Sequence, residues 1–122
     1  MFDYSEDIFE ELYLAIEEDQ NSFKWLMQNS YKELGAFVLA LRGRPDAVKW
    51  LNENNYAVYA LTVLAIKREV NPFKALTKLP DKKMACLVGV VHQDANCMKY
   101  LKEKNLELVL ELGFVIRRSI IS

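Results

Sequence analysis

Apolar and polar positions along this chain return every 25 residues. Phe23-Lys24-Trp25-Leu26 is rewritten as Val48-Lys49-Trp50-Leu51, as Phe73-Lys74-Ala75-Leu76 and as Met98-Lys99-Tyr100-Leu101. Eleven residues before each lysine stand Tyr13, Val38, Val63 and Val88, and two residues further on come Ala15, Ala40, Ala65 and Val90. Ile16, Leu41, Ile66 and Val91 follow, and then polarity takes over in Glu17-Glu18-Asp19, Arg42-Gly43-Arg44, Lys67-Arg68-Glu69 and His92-Gln93-Asp94.

Each row reads as a longer helix A, a polar corner and a shorter helix B. In the first row helix A covers about residues 5–18, because Phe9, Leu12, Tyr13 and Ile16 make the i, i+3, i+4, i+7 stripe of an amphipathic helix. Helix B covers about residues 22–29, with Phe23 and Leu26 turned inward. Asn21, Asp46, Asn71 and Asn96 precede the four lysines by three places, and the spacing predicts them as N-caps, with Pro45 and Pro72 in the first turn. Gln28-Asn29-Ser30, Glu53-Asn54-Asn55 and Leu79-Pro80 stop helix B. A fifth row, from Leu106, supplies only a helix A. Hairpin dipeptides and strand-like alternation are absent.

A fixed period in this range means stacked supersecondary units that bury their apolar faces on one another. The expected fold is an all-α, α-solenoid-like array of about nine helices in one domain, with units 6–30, 31–55, 56–80 and 81–105 and a half unit 106–122. Leu26, Leu51, Leu76 and Leu101 should all be core. Glu10-Glu11 in the first unit becomes Gly35-Ala36, Ala60-Leu61 and Ala85-Cys86 in the next three. That face therefore meets the preceding unit, and only the first unit, which has none, can keep carboxylates there. The last helix has no such polar outer face. Its Leu108, Leu112, Val115 and Ile116, with Ile120 and Ile121 behind them, are candidates for self-association in a two-fold dimer. Closure of this end by Ile120 and Ile121 folding back is the alternative.

The stretch Leu39-Ala40-Leu41-Arg42-Gly43-Arg44-Pro45-Asp46-Ala47-Val48-Lys49-Trp50-Leu51-Asn52-Glu53-Asn54 resembles the two-helix half of an ankyrin repeat, including Val-Lys-x-Leu in its second helix. The likeness recurs loosely in every row. The period departs from the roughly 33 residues of ankyrin, and the Thr-Pro-Leu-His opening and β-hairpin are missing. The chain looks more like compact helix-hairpin arrays of an uncharacterised bacterial repeat type. What the resemblance implies is a protein-binding scaffold.

Composition narrows the chemistry. Of the 122 residues 52% are hydrophobic and 27% charged, the balance of a folded domain. No stretch reaches the roughly 18 apolar residues of a membrane span, and Phe2-Asp3-Tyr4-Ser5-Glu6-Asp7 carries acid where a secretory leader carries base. The cytoplasm is the expected compartment. Net charge is −1, yet residues 1–20 hold eight acids and no base, while all 16 bases lie beyond. Cys86 and Cys97 match no metal spacing and stand at small-residue columns, so they are expected as buried thiols. No metal and no cofactor is expected. His92, the sole histidine, shares a corner column with Glu17, Arg42, Lys67 and Arg117, and is expected on the surface rather than as a general base. The glycines form no phosphate loop; three lie inside helices, where they permit close approach.

No catalytic constellation emerges, so the chain is expected not to be an enzyme. Candidate partner-binding residues are Lys24, Trp25, Lys49, Trp50, Lys74, Lys99 and Tyr100, with an unidentified protein as the expected partner. The lysine ladder, with Arg42, Lys67 and Arg117, also admits a second function, tracking a nucleic-acid backbone.

Overall fold

A computed structural model describes residues 2–121. Among these the chain is all-helical and strandless, with α1 Glu6–Ile16, α2 Gln20–Gln28, α3 Lys32–Leu41, α4 Pro45–Glu53, α5 Ala57–Ile66, α6 Val70–Thr77, α7 Lys83–Val91, α8 Ala95–Glu103 and α9 Glu107–Ile116. A π-helical turn over Arg117–Ile121 continues α9. Odd-numbered helices are the A elements and even-numbered ones the B elements. None is long and apolar enough to cross a membrane.

The core follows the repeat. Leu26, Leu51, Leu76 and Leu101 are all 0% exposed, as their invariance predicts. Removing a leucine methyl cluster from such a site costs both transfer energy and a cavity. The glycine columns mark close helix approach. A Cβ on Gly35 would stand 2.3 Å from Met27 Sδ of α2, and one on Gly89 2.3 Å from Cys97 Sγ of α8. Gly35 therefore abuts the preceding B helix, which is the face that Glu10 keeps charged in α1.

Both kinds of turn use the left-handed backbone region. At the A-to-B corner Glu18, Gly43, Arg68 and Gln93 have φ of 74°, 94°, 69° and 66°. At the B-to-A turn Ser30, Asn55 and Asn105 have φ of 71°, 69° and 57°. Asparagine and glycine adopt this conformation at least cost, and the asparagine-rich helix ends are explained by it.

Two expectations need correction. The N-cap column lies two residues earlier than predicted, at Asp19, Arg44, Glu69 and Asp94, which places Asn21, Asp46, Asn71 and Asn96 inside the first helical turn. Only the two aspartates cap by side chain. Asp19 Oδ1 accepts from the Ser22 N–H at 3.1 Å, and Asp94 Oδ1 from the Asn96 and Cys97 N–H groups at 2.9 and 3.3 Å. Arg44 and Glu69 offer no side-chain cap.

The second correction concerns the ends. Each A helix packs on the next, and α9 packs back on α1, so the stack closes into a ring of A helices. Tyr13 Oη donates to the Leu108 carbonyl, and Arg118 reaches Glu17 at 3.5 Å. Leu112, Val115 and Ile116, put forward for self-association, are 0% exposed inside the single chain. Leu108 and Ile120 are half-buried, and only Ile121 is exposed. Leu112, Val115 and Ile116 are covered within the single chain, where α9 packs on α1 and α7, and Ile120 packs partly on the same core.

Residues before α1 fill one mouth of the ring. Phe2 is buried among Tyr4, Phe9, Phe37 and Tyr59, with ring centroids 4.7–6.3 Å away. Tyr4 and Tyr59 hydroxyls lie 2.7 Å apart, and Tyr4 Oη donates to Glu33 at 3.0 Å. Asp3 pairs with buried Lys83 at 2.8 Å. That ammonium holds the Asp3 carboxyl down at about 2.

Candidate functional site: the lysine and aromatic face

The B helices form the outer layer, each bridging two A helices. Lys24, Lys49, Lys74 and Lys99 are all exposed, one per B helix, each two residues before a fully buried leucine. Two residues of helix turn the chain by about 200°, so a lysine in this position points out as the leucine points in. Lys99 meets Glu103 at 3.9 Å in an exposed i, i+4 pair, which leaves its charge available at the surface.

The aromatic column is neither core nor free. Trp25 stacks on Tyr31 at 5.9 Å with the planes 11° apart, and Trp50 stacks on Tyr56 at 6.2 Å and 7°. Each tyrosine precedes the next A helix, so the stack spans the B-to-A turn. Asn29 and Asn54 Nδ2 close the same turns by donating at 2.8 Å to the carbonyls of Trp25 and Trp50. Trp25 remains 37% exposed, and Trp50 and Tyr100 are half-buried. Tyr100 has Lys104 Nζ 5.8 Å over its ring. Ala75 leaves a gap in the series.

The corner column does structural work that the sequence concealed. Arg42 donates to the Ile16 carbonyl and to Glu18 at 3.0 Å, and Arg117 donates to the Val91 carbonyl at 2.7 Å. Each reaches back 26 residues to the carboxyl end of the preceding A helix, where four carbonyls lack helical partners and the dipole favours a cation. His92 occupies the same column, and both ring nitrogens are buried without a hydrogen-bond partner. Burial pushes its pKa below the ordinary range; the Ala65 and Ile66 backbone opposes that shift, and Arg68 and Arg117 add to it. It is therefore a packed residue, not the solvent-facing histidine the corner polarity predicted.

Cys86 and Cys97 are free and half-buried. Burial raises both thiols, Cys97 to about 12, so neither is a ready thiolate nucleophile. Among the described residues no cluster of His, Cys, Asp and Glu could hold a metal. Open clefts recur in register. One of about 480 Å³ lies among Ala15, Phe23, Val38 and Arg42, and one of about 360 Å³ among Ala65, Phe73, Val88 and His92. These linings are the same repeat positions two units apart.

The structure thus brings the four lysines and three rings onto one outer layer and engages Arg42 and Arg117 with carbonyls of the preceding A helices. The N-terminal Phe2-Asp3-Tyr4 plug was missed by periodic reading; two aromatic rings outside the 25-residue clock were its only trace. No protein-family model, curated protein or solved structure matches this chain.

Proposed function

We propose that the chain is a non-enzymatic protein-binding scaffold of the cytoplasm that presents the outer faces of its B helices to an acidic partner. The observation that carries this reading is the row of four exposed lysines on successive B helices, each backed by a fully buried leucine. Like charges held at fixed spacing round the outside of the ring steer association and select partners more than they add raw affinity. Partly exposed Trp25, with Trp50 and Tyr100, supplies apolar area next to the cations, the combination found at binding hot spots. The likeness to ankyrin-type helix pairs points the same way.

Binding to a nucleic-acid backbone uses the same lysines and is the second reading. Arg42 and Arg117, each held on a carbonyl of the preceding A helix, are two cations of that reading already engaged within the chain. Cross-linked capture from the native host, with wild type against a Lys24→Glu, Lys49→Glu, Lys74→Glu, Lys99→Glu variant, separates the two. A protein captured by wild type and lost with the variant is expected. Salt-dependent retention on single- or double-stranded nucleic acid, abolished by the same variant, would replace the scaffold reading with the second one.

A further inference from the structure

Four of the five joints between neighbouring A helices have a B helix lying across them: α2 on α1 and α3, α4 on α3 and α5, α6 on α5 and α7, α8 on α7 and α9. At the fifth joint, where α9 meets α1, no B helix packs against both in this way among the described residues. The chain does not turn there either. Arg118 falls where Gln93, Arg68, Gly43 and Glu18 take the left-handed corner, but it continues the helix as a π turn.

Repeat register identifies what lines this vacancy. On α1, Glu10 holds the place of Gly35, which touches Met27 and Phe23 of the preceding B helix. Glu11 holds the place of Ala36, which lines a cleft with Met27. Leu14 holds the place of Leu39, which borders clefts on both its α2 and α4 sides. With only α2 beside it, Leu14 is 45% exposed. On α9, Glu111 holds the place of Cys86, whose thiol meets Cys97 of its own B helix. Phe114 holds the place of Gly89, which abuts the same cysteine. Two apolar side chains and three carboxylates therefore occupy, at this seam, the repeat positions that meet a B helix elsewhere, with Arg118 at one end engaged to Glu17 and Glu111 at 3.5 and 3.8 Å.

We propose that the α9–α1 seam receives an amphipathic, basic helix from a partner protein, which lies where a fifth B helix would lie and completes the outer layer in trans. The repeat fixes its pattern. Apolar residues at i and i+3 take the places of Met98 and Leu101; cations at i−1 and i+4, the places of Cys97 and Lys102, face Glu111 and Glu10. Charge complementarity and helix-in-groove packing are the recognition physics. This site is separate from the lysine face and does not depend on it.

The test uses a capped peptide of residues 94–105 carrying Cys97→Lys, titrated into the isotope-labelled full chain and followed by amide chemical shifts. Saturable shifts confined to α1 and α9 are expected, with binding weakened at least about tenfold by Glu10→Lys, Glu11→Lys, Glu111→Lys together. Leu14→Asp, at an exposed site that spares folding, should weaken it independently. No shift up to about 1 mM peptide, the range of weak binding, overturns the proposal, as do shifts centred on α7 and α8 alone. A concentration-dependent dimer using the same seam without peptide would assign the seam to a second copy and also overturn it.

Discussion

The turns before α3 and α5 and the turn before α7 solve one problem in two ways. In the first two, a tryptophan stacks on a tyrosine, an asparagine caps the tryptophan carbonyl, and Ser30 or Asn55 takes the left-handed conformation. In the third, Ala75 has no ring, and Pro80, locked at negative φ, stands where the left-handed residue should be. Asp81 replaces the tyrosine and accepts from the Lys83 N–H at 2.9 Å, while Lys82 Nζ donates to the Thr77 carbonyl. Helix α7 consequently starts one residue later in the repeat than α3 and α5. Stacked rings and a permissive residue hold two turns; a rigid residue and a local carboxylate hold the third. What both preserve is the buried leucine in the last turn of helix B.

The largest effect tests that shared element. Leu51→Ala and Leu76→Ala should each cost about 2–5 kcal/mol in denaturant unfolding, the range for a buried leucine. Leu76 should fall at the lower end, because its turn lacks the stacked rings that resist collapse into the cavity. A Leu51 loss below about 1 kcal/mol would remove the leucine column from the centre of the fold.

The contrast can then be sharpened by transplant. Ala75→Trp with Pro80→Asn and Asp81→Tyr rebuilds the stacked turn in the third unit. A gain of about 1 kcal/mol is expected, the scale of an aromatic pair, and the same pair removed by Trp50→Ala should lose at least as much. If the triple variant is destabilised, the third turn is specialised rather than merely degenerate.

Corner conformations predict effects of opposite sign and similar size. Gly43→Ala, at φ 94°, should destabilise by about 1 kcal/mol, the usual penalty for a Cβ in left-handed backbone. Arg68→Gly, at φ 69°, should stabilise by up to about 1 kcal/mol, less what glycine adds to unfolded-chain entropy. Thermal unfolding of the two single variants checks the pair.

How much of this was written in the sequence depends on whether a feature repeats. Leucine burial, the lysine exposure and the polar face of α1 were legible because each is one column of a 25-residue clock, read against an elementary helix geometry. Caps were misplaced by two residues because the true column mixes Asp, Arg and Glu, and only Asp19 and Asp94 cap by side chain. Ring closure was not legible at all. It depends on the small rotation between units summed over four joints, and no single residue encodes that sum. The Phe2 plug lies outside the clock, and its meaning appears only once the ring has a mouth to fill.

His92 gives the smallest effect and the most specific. Arg42 and Arg117 donate to the carboxyl end of the preceding A helix, whereas the His92 ring is buried against the Ala65 and Ile66 backbone at the equivalent place without a well-formed hydrogen bond. Because burial lowers its pKa in the folded chain, the unfolded chain binds the proton more readily. Its contribution to stability is therefore intact above the unfolded value near 6.5, declines as pH falls through that value, and stops declining below the folded one. Melting temperature should accordingly drop between about pH 7 and pH 5 in wild type, ahead of the titration of ordinary carboxylates. His92→Gln removes the titration without adding charge and should flatten that slope. His92→Arg should flatten it too, and in addition restores the cation that its two column neighbours use. An undiminished slope in both variants would move the pH dependence away from His92.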